Sequence, residues 1–385
     1  MIMDLMLAIG KFFVNPVLYI ALLAAVLLGY YRVKKERKIF RIRIVYGLTE
    51  FKRLIKDAWL YALGLSILFA GIGLVVPMDW LIALSIVSVL FMATTFYQAG
   101  SFIYLATAAV GLSWLFYANN WTLNFGLVTF EGTEIAYQWL IPVALIAGAL
   151  VFVEGKMIDK AAAQAGSPRL HKSGRGLKAA AYISKRLWLL PILLVVPGSL
   201  LDSYAPYWPQ LPIGESNFSL ILFPVVFGFV GRSQRTLPVY LYPVVGKAVT
   251  TLGVSIVVVG LAALLWQPLA AVALVGGVIG RIVIAVHFAL KERSGNYAVT
   301  PQPQGVMIVD VLPGSPADKM GLLRGEVIRK VNGIAIANES ELYEAIQVNA
   351  AHCRLEVLDH NLEVRLRQHV IFRHDHHRLG LLVVN

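Results

Sequence analysis

Nine stretches of this chain run for 14 to 23 residues almost without charge, at 12–30, 58–76, 80–97, 101–118, 139–153, 187–201, 218–231, 244–266 and 269–290. A helix needs roughly 20 apolar residues to cross a hydrocarbon core of ~30 Å. The runs therefore predict an α-helical polytopic membrane domain of eight or nine spans, with six to nine compatible with the pattern. Two of them, 187–201 and 218–231, are short and carry Pro191, Pro197 and Pro224, which suits re-entrant segments as well as spans. The charged share is 15%, against about a quarter in soluble domains. That excludes an ordinary soluble enzyme and a disordered chain. The one cysteine, Cys353, excludes an internal disulfide.

The net charge of +12 first suggests nucleic acid, but its placement argues otherwise. Ten Lys and Arg fall between Arg32 and Lys56, eight between Lys156 and Arg186, and Arg232 and Arg235 mark a third short loop. The intervening loops 119–138 and 202–217 contain none. This alternation follows the positive-inside rule. It places 32–57, 154–186, 232–237 and everything after 291 in the cytoplasm. Trp80, Trp121, Trp139, Trp188 and Trp208 fall at run ends, where an interfacial belt is expected. The basic loop 157–185 suits either an amphipathic segment on anionic lipid or a solvated loop. No nucleic acid is needed to explain the charge.

At 291 the composition changes. Residues 291–304 read as a linker, ending in Thr300-Pro301-Gln302-Pro303-Gln304, and 305–385 alternate as strands do, after a membrane domain over 1–290. A helix fits Glu339 to Asn349, with Leu342 and Ile346 on one face and Asn338 or Ser340 as cap. The informative stretch runs from Gly305 through Pro313-Gly314-Ser315-Pro316-Ala317, Gly321-Leu322 and Gly325 to Asn332-Gly333. Pro313-Gly314 turns the chain out of a strand, and Ser315-Pro316 opens a short helix. Gly321 ends that helix, Gly325 supports a turn, and Asn332-Gly333 closes a tight hairpin. A second hairpin fits Asp359-His360-Asn361. Together these resemble a PDZ domain of the bacterial type, which implies binding of an extended peptide by strand addition at a sheet edge.

No Gly-Leu-Gly-Phe-type loop precedes Gly305. The loop able to hold a peptide carboxylate is instead Arg378-Leu379-Gly380-Leu381, leading into the terminal strand. A permuted strand order would set it beside the helix carrying Leu342 and Ile346; a plain closing strand is the competing reading. Loss of partner binding on Gly380→Trp, with folding intact, would favour the groove.

Catalytic and metal chemistry find little support. His374-Asp375-His376-His377 places potential ligands at consecutive positions that diverge, with no remote set to complete four. No His-Glu pair exists for a membrane metalloprotease, and Gly198-Ser199 lacks a partner for a serine protease. Cys353 reads as a small buried hydrophobe and His287 as interfacial. No Asp or Glu lies centrally in any run, and Lys247 and Arg281 are accounted for by snorkelling. Gly71-Ile72-Gly73 and Gly276-Gly277-x-x-Gly280 fit close helix packing. No metal, cofactor or small-molecule substrate is expected.

The entry segment Phe12-Phe13-Val14-Asn15-Pro16-Val17-Leu18-Tyr19, then Leu28-Gly29-Tyr30-Tyr31-Arg32 and the basic run after it, resembles the MinJ-like family of polytopic membrane PDZ proteins of Gram-positive bacteria. The resemblance implies a membrane-anchored, non-enzymatic scaffold in division-site selection. Its partners would be a DivIVA-like scaffold and a MinD-like ATPase, besides membrane lipid, with enrichment at septum and poles. The alternative is a PDZ-bearing, non-catalytic accessory subunit of a membrane protease or transporter complex.

Overall fold

The structure is a computed structural model that describes residues 10, 12–124, 129–172, 176, 178–198, 218–348, 352–370 and 379–384. Its first long helix, α1 (Pro16–Phe40), starts where the sequence provides a cap. Asn15 Oδ1 accepts from Val17 N at 3.0 Å, and Pro16 occupies the first turn. The Asn15 amide also reaches Ser85 Oγ, far along the chain. There follow α2 (Thr49–Lys56), α3 (Trp59–Ile72), α4 (Met78–Thr94), α5 (Phe102–Ala118), the small pair β1 (Leu123–Asn124) and β2 (Thr129–Phe130), and α6 (Tyr137–Ala161). Among the described residues five helical stretches are long and apolar enough to cross a membrane: α1, the nearly continuous 49–72, α6, α7 (Pro238–Ala262) and α8 (Leu269–Arg293). The helices α4 and α5 are shorter apolar ones.

The runs at 187–201 and 218–231 are not helical spans where the structure describes them. They lie in β4 (Lys178–Pro197) and β5 (Phe218–Ser233), a long antiparallel ribbon with β3 (Gly166–Lys172) on its outer end. Prolines that would break helices are absorbed by the ladder. Pro191 faces Pro224, so two missing N–H donors fall at one rung. Open strand edges are costly at membrane depth because no water replaces the absent partners. Here helix ends and side chains supply them: Leu193 N donates to Ser66 Oγ at 2.9 Å, Val76 N to Val195 O at 3.0 Å, and Gly228 N to Gly100 O at 2.8 Å. Trp188 and Phe227 pack against each other at a tilt within the surrounding core.

The helix α6 is buried for most of its length against α7. Glycines at seven-residue spacing on both helices permit the close approach. A Cβ at Gly155 would stand 2.4 Å from Thr250 N, and one at Gly253 2.4 Å from Phe152 N. Of the glycines singled out in the sequence, Gly277 and Gly280 pack against Ile256, Ile103 and Leu252. Gly73 instead caps α3 at φ +75°, and Gly71 meets open space.

Charge inside the bundle corrects two further expectations. Glu154 lies within α6 and is fully buried, and Arg281 is buried rather than snorkelling. They pair at 3.1 Å, while Ser101 Oγ and Phe102 N donate to Glu154 Oε2 at 2.6 and 3.2 Å. Every carboxylate oxygen has a partner, as burial of a charge demands. Trp80, Trp139 and Trp188 are core side chains, not a belt; the exposed indoles are Trp59, Trp114, Trp121 and Trp266. Trp208 lies outside the described residues.

The C-terminal domain begins after α8. Its sheet runs β10 (Val364–Val370), β9 (His352–Leu358), β7 (Val327–Val331), β6 (Val306–Val311), β11 (Leu381–Val384), with β8 (Ile334–Ala335) hairpinned to β7. The helices are α9 (Pro316–Lys319) and α10 (Glu339–Val348). Asn332-Gly333 makes the two-residue hairpin with both residues at positive φ, and α10 is capped by Asn338 Oδ1 accepting from Glu341 N. The segment before the sheet is not a free spacer. Ala298 N bonds Gln234 O and Val299 O takes Ala180 N. One sheet face, with Met307, Val309, Leu382 and Val384, packs on Ala180, Tyr182 and Leu237 of the membrane half.

Candidate functional site

The turn from Pro313 to Ala317 exists to hold another loop. Ser315 caps α9 by accepting from Asp318 N, and Asp318 Oδ2 accepts from Gly314 N at 2.8 Å. From this braced turn, Leu312 N donates to Gly380 O at 2.9 Å and Ala317 N to Leu379 O at 3.0 Å. In a trans peptide unit the C=O and N–H point in opposite directions. With the carbonyls of Leu379 and Gly380 drawn toward β6 and α9, the N–H groups of Gly380 and Leu381 are directed away from them. Leu379, Gly380 and Leu381 are all buried residues.

Gly380 has φ +77°, and a Cβ there would stand 2.3 Å from that of Ser315. Only glycine fits, so Gly380→Trp destroys the turn and is not a clean test of binding. Gly321 (φ +70°) and Gly325 (φ +86°) take the backbone conformations their turns require. Leu322 is core, and Gly305 closes against Ile328 O.

Beyond the loop, β11 is the end strand of its sheet, with β6 its only strand partner among the described residues. Leu342 and Ile346 of α10 share one apolar cluster with Leu379 and Leu381. All four are buried, with at most 5% of their surface exposed. They are core side chains, so the edge offers a ligand backbone rather than an open apolar pocket. Arg378 and the His374–His377 cluster lie outside the described residues. Cys353 is fully buried, and burial pushes its thiol up to about 11, which removes it as a nucleophile near neutral pH. His287 is exposed against Phe288. Among the described residues no three His, Cys, Asp or Glu side chains are grouped to hold a metal.

The site is tied to the membrane half, which sequence reasoning missed. Tyr182 Oη donates to Val309 O at 2.6 Å. Arg324 holds Asp310 through two bonds of 2.6 and 3.0 Å and reaches Ala163 O at 3.4 Å. Burial alone would lower the Arg324 guanidinium, but the Asp310 charge and hydrogen bonds more than offset it and leave it raised. Tyr240 Oη meets His360 Nδ1 at 2.9 Å. The segments rich in Lys and Arg gather at this same end: Arg32 bridges Glu36 and Glu50, Arg186 joins Glu50, and Glu292 accepts the N–H groups of Gln234, Arg235 and Thr236.

A family model described as PDZ domain matches residues 307–359. The chain is similar to the cell division topological determinant MinJ of Bacillus subtilis (strain 168), 32% identical over 389 residues, covering 99% of this chain and 95% of that protein. It is 27% identical over 221 residues to a probable cell division topological determinant MinJ of Lacticaseibacillus paracasei, covering 56% of this chain and 58% of that one. A mitochondrial serine protease HTRA2 of Drosophila ananassae matches at 35% over 73 residues, 19% of this chain and 17% of the protease. That length fits the PDZ part alone.

Proposed function

The chain belongs to the MinJ family of cell division topological determinants, and from that premise we propose that it is a membrane-anchored adaptor whose PDZ domain recruits cell-division proteins by strand addition. The observation that carries the reading is the end strand β11, entered from a loop whose Leu379 and Gly380 carbonyls are already engaged. An incoming peptide would continue the sheet along β11 and seat a carboxylate at the loop. The adaptor bridges a DivIVA-like scaffold and a MinD-like ATPase, and it is enriched at septa and poles. The PDZ domain faces the cytoplasm, a side supported by the basic segments 32–57, 154–186 and 232–237 that share its end of the molecule. The division of labour is a membrane domain over 1–290, a docked connector over 291–304 and a PDZ domain over 305–385, none of it catalytic.

A fluorescent fusion of the full chain tests this. The expected result is a septal signal that disperses when the DivIVA-like scaffold is deleted. A uniform membrane signal indifferent to that deletion overturns it. The serine-protease likeness of the PDZ part supports a second reading, an accessory that presents substrate tails to a membrane protease. Copurification of a protease instead of division proteins would favour that one.

A further inference from the structure

A cleft of about 390 Å³ lies at the end of the membrane half that carries the PDZ domain, lined by Thr49, Lys52, Arg53, Lys56, Asp57 and Gln164. This volume falls in the range of small-ligand sites, ~300–1,000 Å³. Three cations and one carboxylate leave it net positive. Among the described residues none of the three cations has a carboxylate within ion-pair distance. Arg53 Nη1 donates to Gln164 Oε1 at 3.0 Å, which leaves the Gln164 amide Nε2 to donate, beside the Thr49 hydroxyl.

The segment 48–59, α2 with its flanking residues, supplies most of this lining and has three distinct faces. Glu50, Leu54 and Ala58, four residues apart, are buried against the protein. Leu48, Phe51, Ile55 and Trp59 form a second stripe, and all four are at least 40% exposed. The third face carries Lys52, Arg53 and Lys56 into the cleft. A short helix with an exposed apolar stripe beside a basic one, at the end of the apolar helix α3, sets carbon for lipid tails next to charge for their headgroups. The sequence shows this spacing, yet the segment reads there as one basic loop. Where the structure describes it, the 157–185 segment by contrast forms the end of α6, the strand β3 and the start of β4, not an amphipathic helix.

We infer that this cleft is a headgroup site for an anionic glycerophospholipid. The phosphodiester is held by Lys52, Arg53 and Lys56, while the acyl chains run along Phe51, Ile55 and Trp59. A phosphate alone would satisfy the cations but leave the apolar stripe beside them unused, which favours the lipid over a free anion. The site is separate from the β11 edge, and it stands whether or not the PDZ reading does.

Native mass spectrometry of the full chain in detergent tests it, with phosphatidylglycerol, phosphatidylcholine and inorganic phosphate as probes. The wild type should retain phosphatidylglycerol and not phosphatidylcholine, and inorganic phosphate should not displace it. The triple variant Lys52→Gln/Arg53→Gln/Lys56→Gln should bind phosphatidylglycerol about 100-fold more weakly. The charge-keeping Lys52→Arg/Lys56→Arg variant should retain it. Equal retention of phosphatidylglycerol by the triple variant, equal retention of phosphatidylcholine, displacement by inorganic phosphate, or loss in the arginine variant would each overturn the assignment.

Discussion

The molecule contains two β-structures that treat their edges in opposite ways. The ribbon β4–β5 passes through a core of helices, and its outward groups are met by Ser66, Val76 and Gly100. The strand β11 ends its sheet and is entered from a loop whose Leu379 and Gly380 carbonyls are engaged. An edge inside the apolar core must be satisfied within the chain. An edge in the C-terminal domain can be left for a partner. The contrast separates what holds this protein together from what it offers to others, and each prediction below strains one side of it.

The largest effect falls on the closed side. Arg281→Met strips the buried Glu154 of its counter-charge, which costs about 3–5 kcal/mol. It should abolish accumulation of folded chain in the membrane, read by thermal melting in detergent. Adding Glu154→Gln should recover most of the loss. Next comes Gly380→Ala, which drives a Cβ into Ser315 and strains a positive φ, at about 1–3 kcal/mol. The melt of the C-terminal domain should fall while the membrane half is unchanged. Asn332→Ala removes bonds to Ala345 O and from Arg354 N, at about 1–2 kcal/mol. It should loosen the β7–β8 hairpin without affecting partner binding at β11, as denaturant titration of the full chain would reveal.

The smallest effect is one of pH. The Asp359 carboxyl is held below its ordinary value by the Glu363 N–H first, then by Asn361 N–H and Arg365. A depressed carboxylate stabilises above its unfolded pKa, about 3.9, and that stability is lost as pH falls through the lower folded value. The β9–β10 turn should therefore loosen only in strong acid, and Asp359→Asn should remove that acid-dependent step in an amide-exchange profile.

How far the sequence reads through differs between the same two regions. In the PDZ part the decisive features are local: Asn332-Gly333 makes its hairpin, Ser315-Pro316 its helix start, and Asn338 its cap. Each follows from backbone chemistry within a few residues. The membrane half depends on partners far away in sequence. An apolar run cut by Pro191 or Pro224 has the same hydropathy as helix or strand, and only the facing of one proline by the other favours the ribbon. Glu154 escapes notice because the apolar run stops one residue short of it, while the helix continues to Ala161. At the candidate site, the position of Gly380 at the turn into the terminal strand was legible. The burial of Leu342, Ile346, Leu379 and Leu381 was not, because side-chain packing there depends on β11 closing over α10's cluster.

The most direct measurement is hydrogen–deuterium exchange on the full chain in a membrane mimic, with and without the DivIVA-like scaffold. Residues 187–197 and 218–229 should be protected in both states, and 379–384 should gain protection only when the scaffold is bound. Unchanged exchange at 379–384 in a bound complex would contradict the claim that the β11 edge is where this adaptor takes its partner.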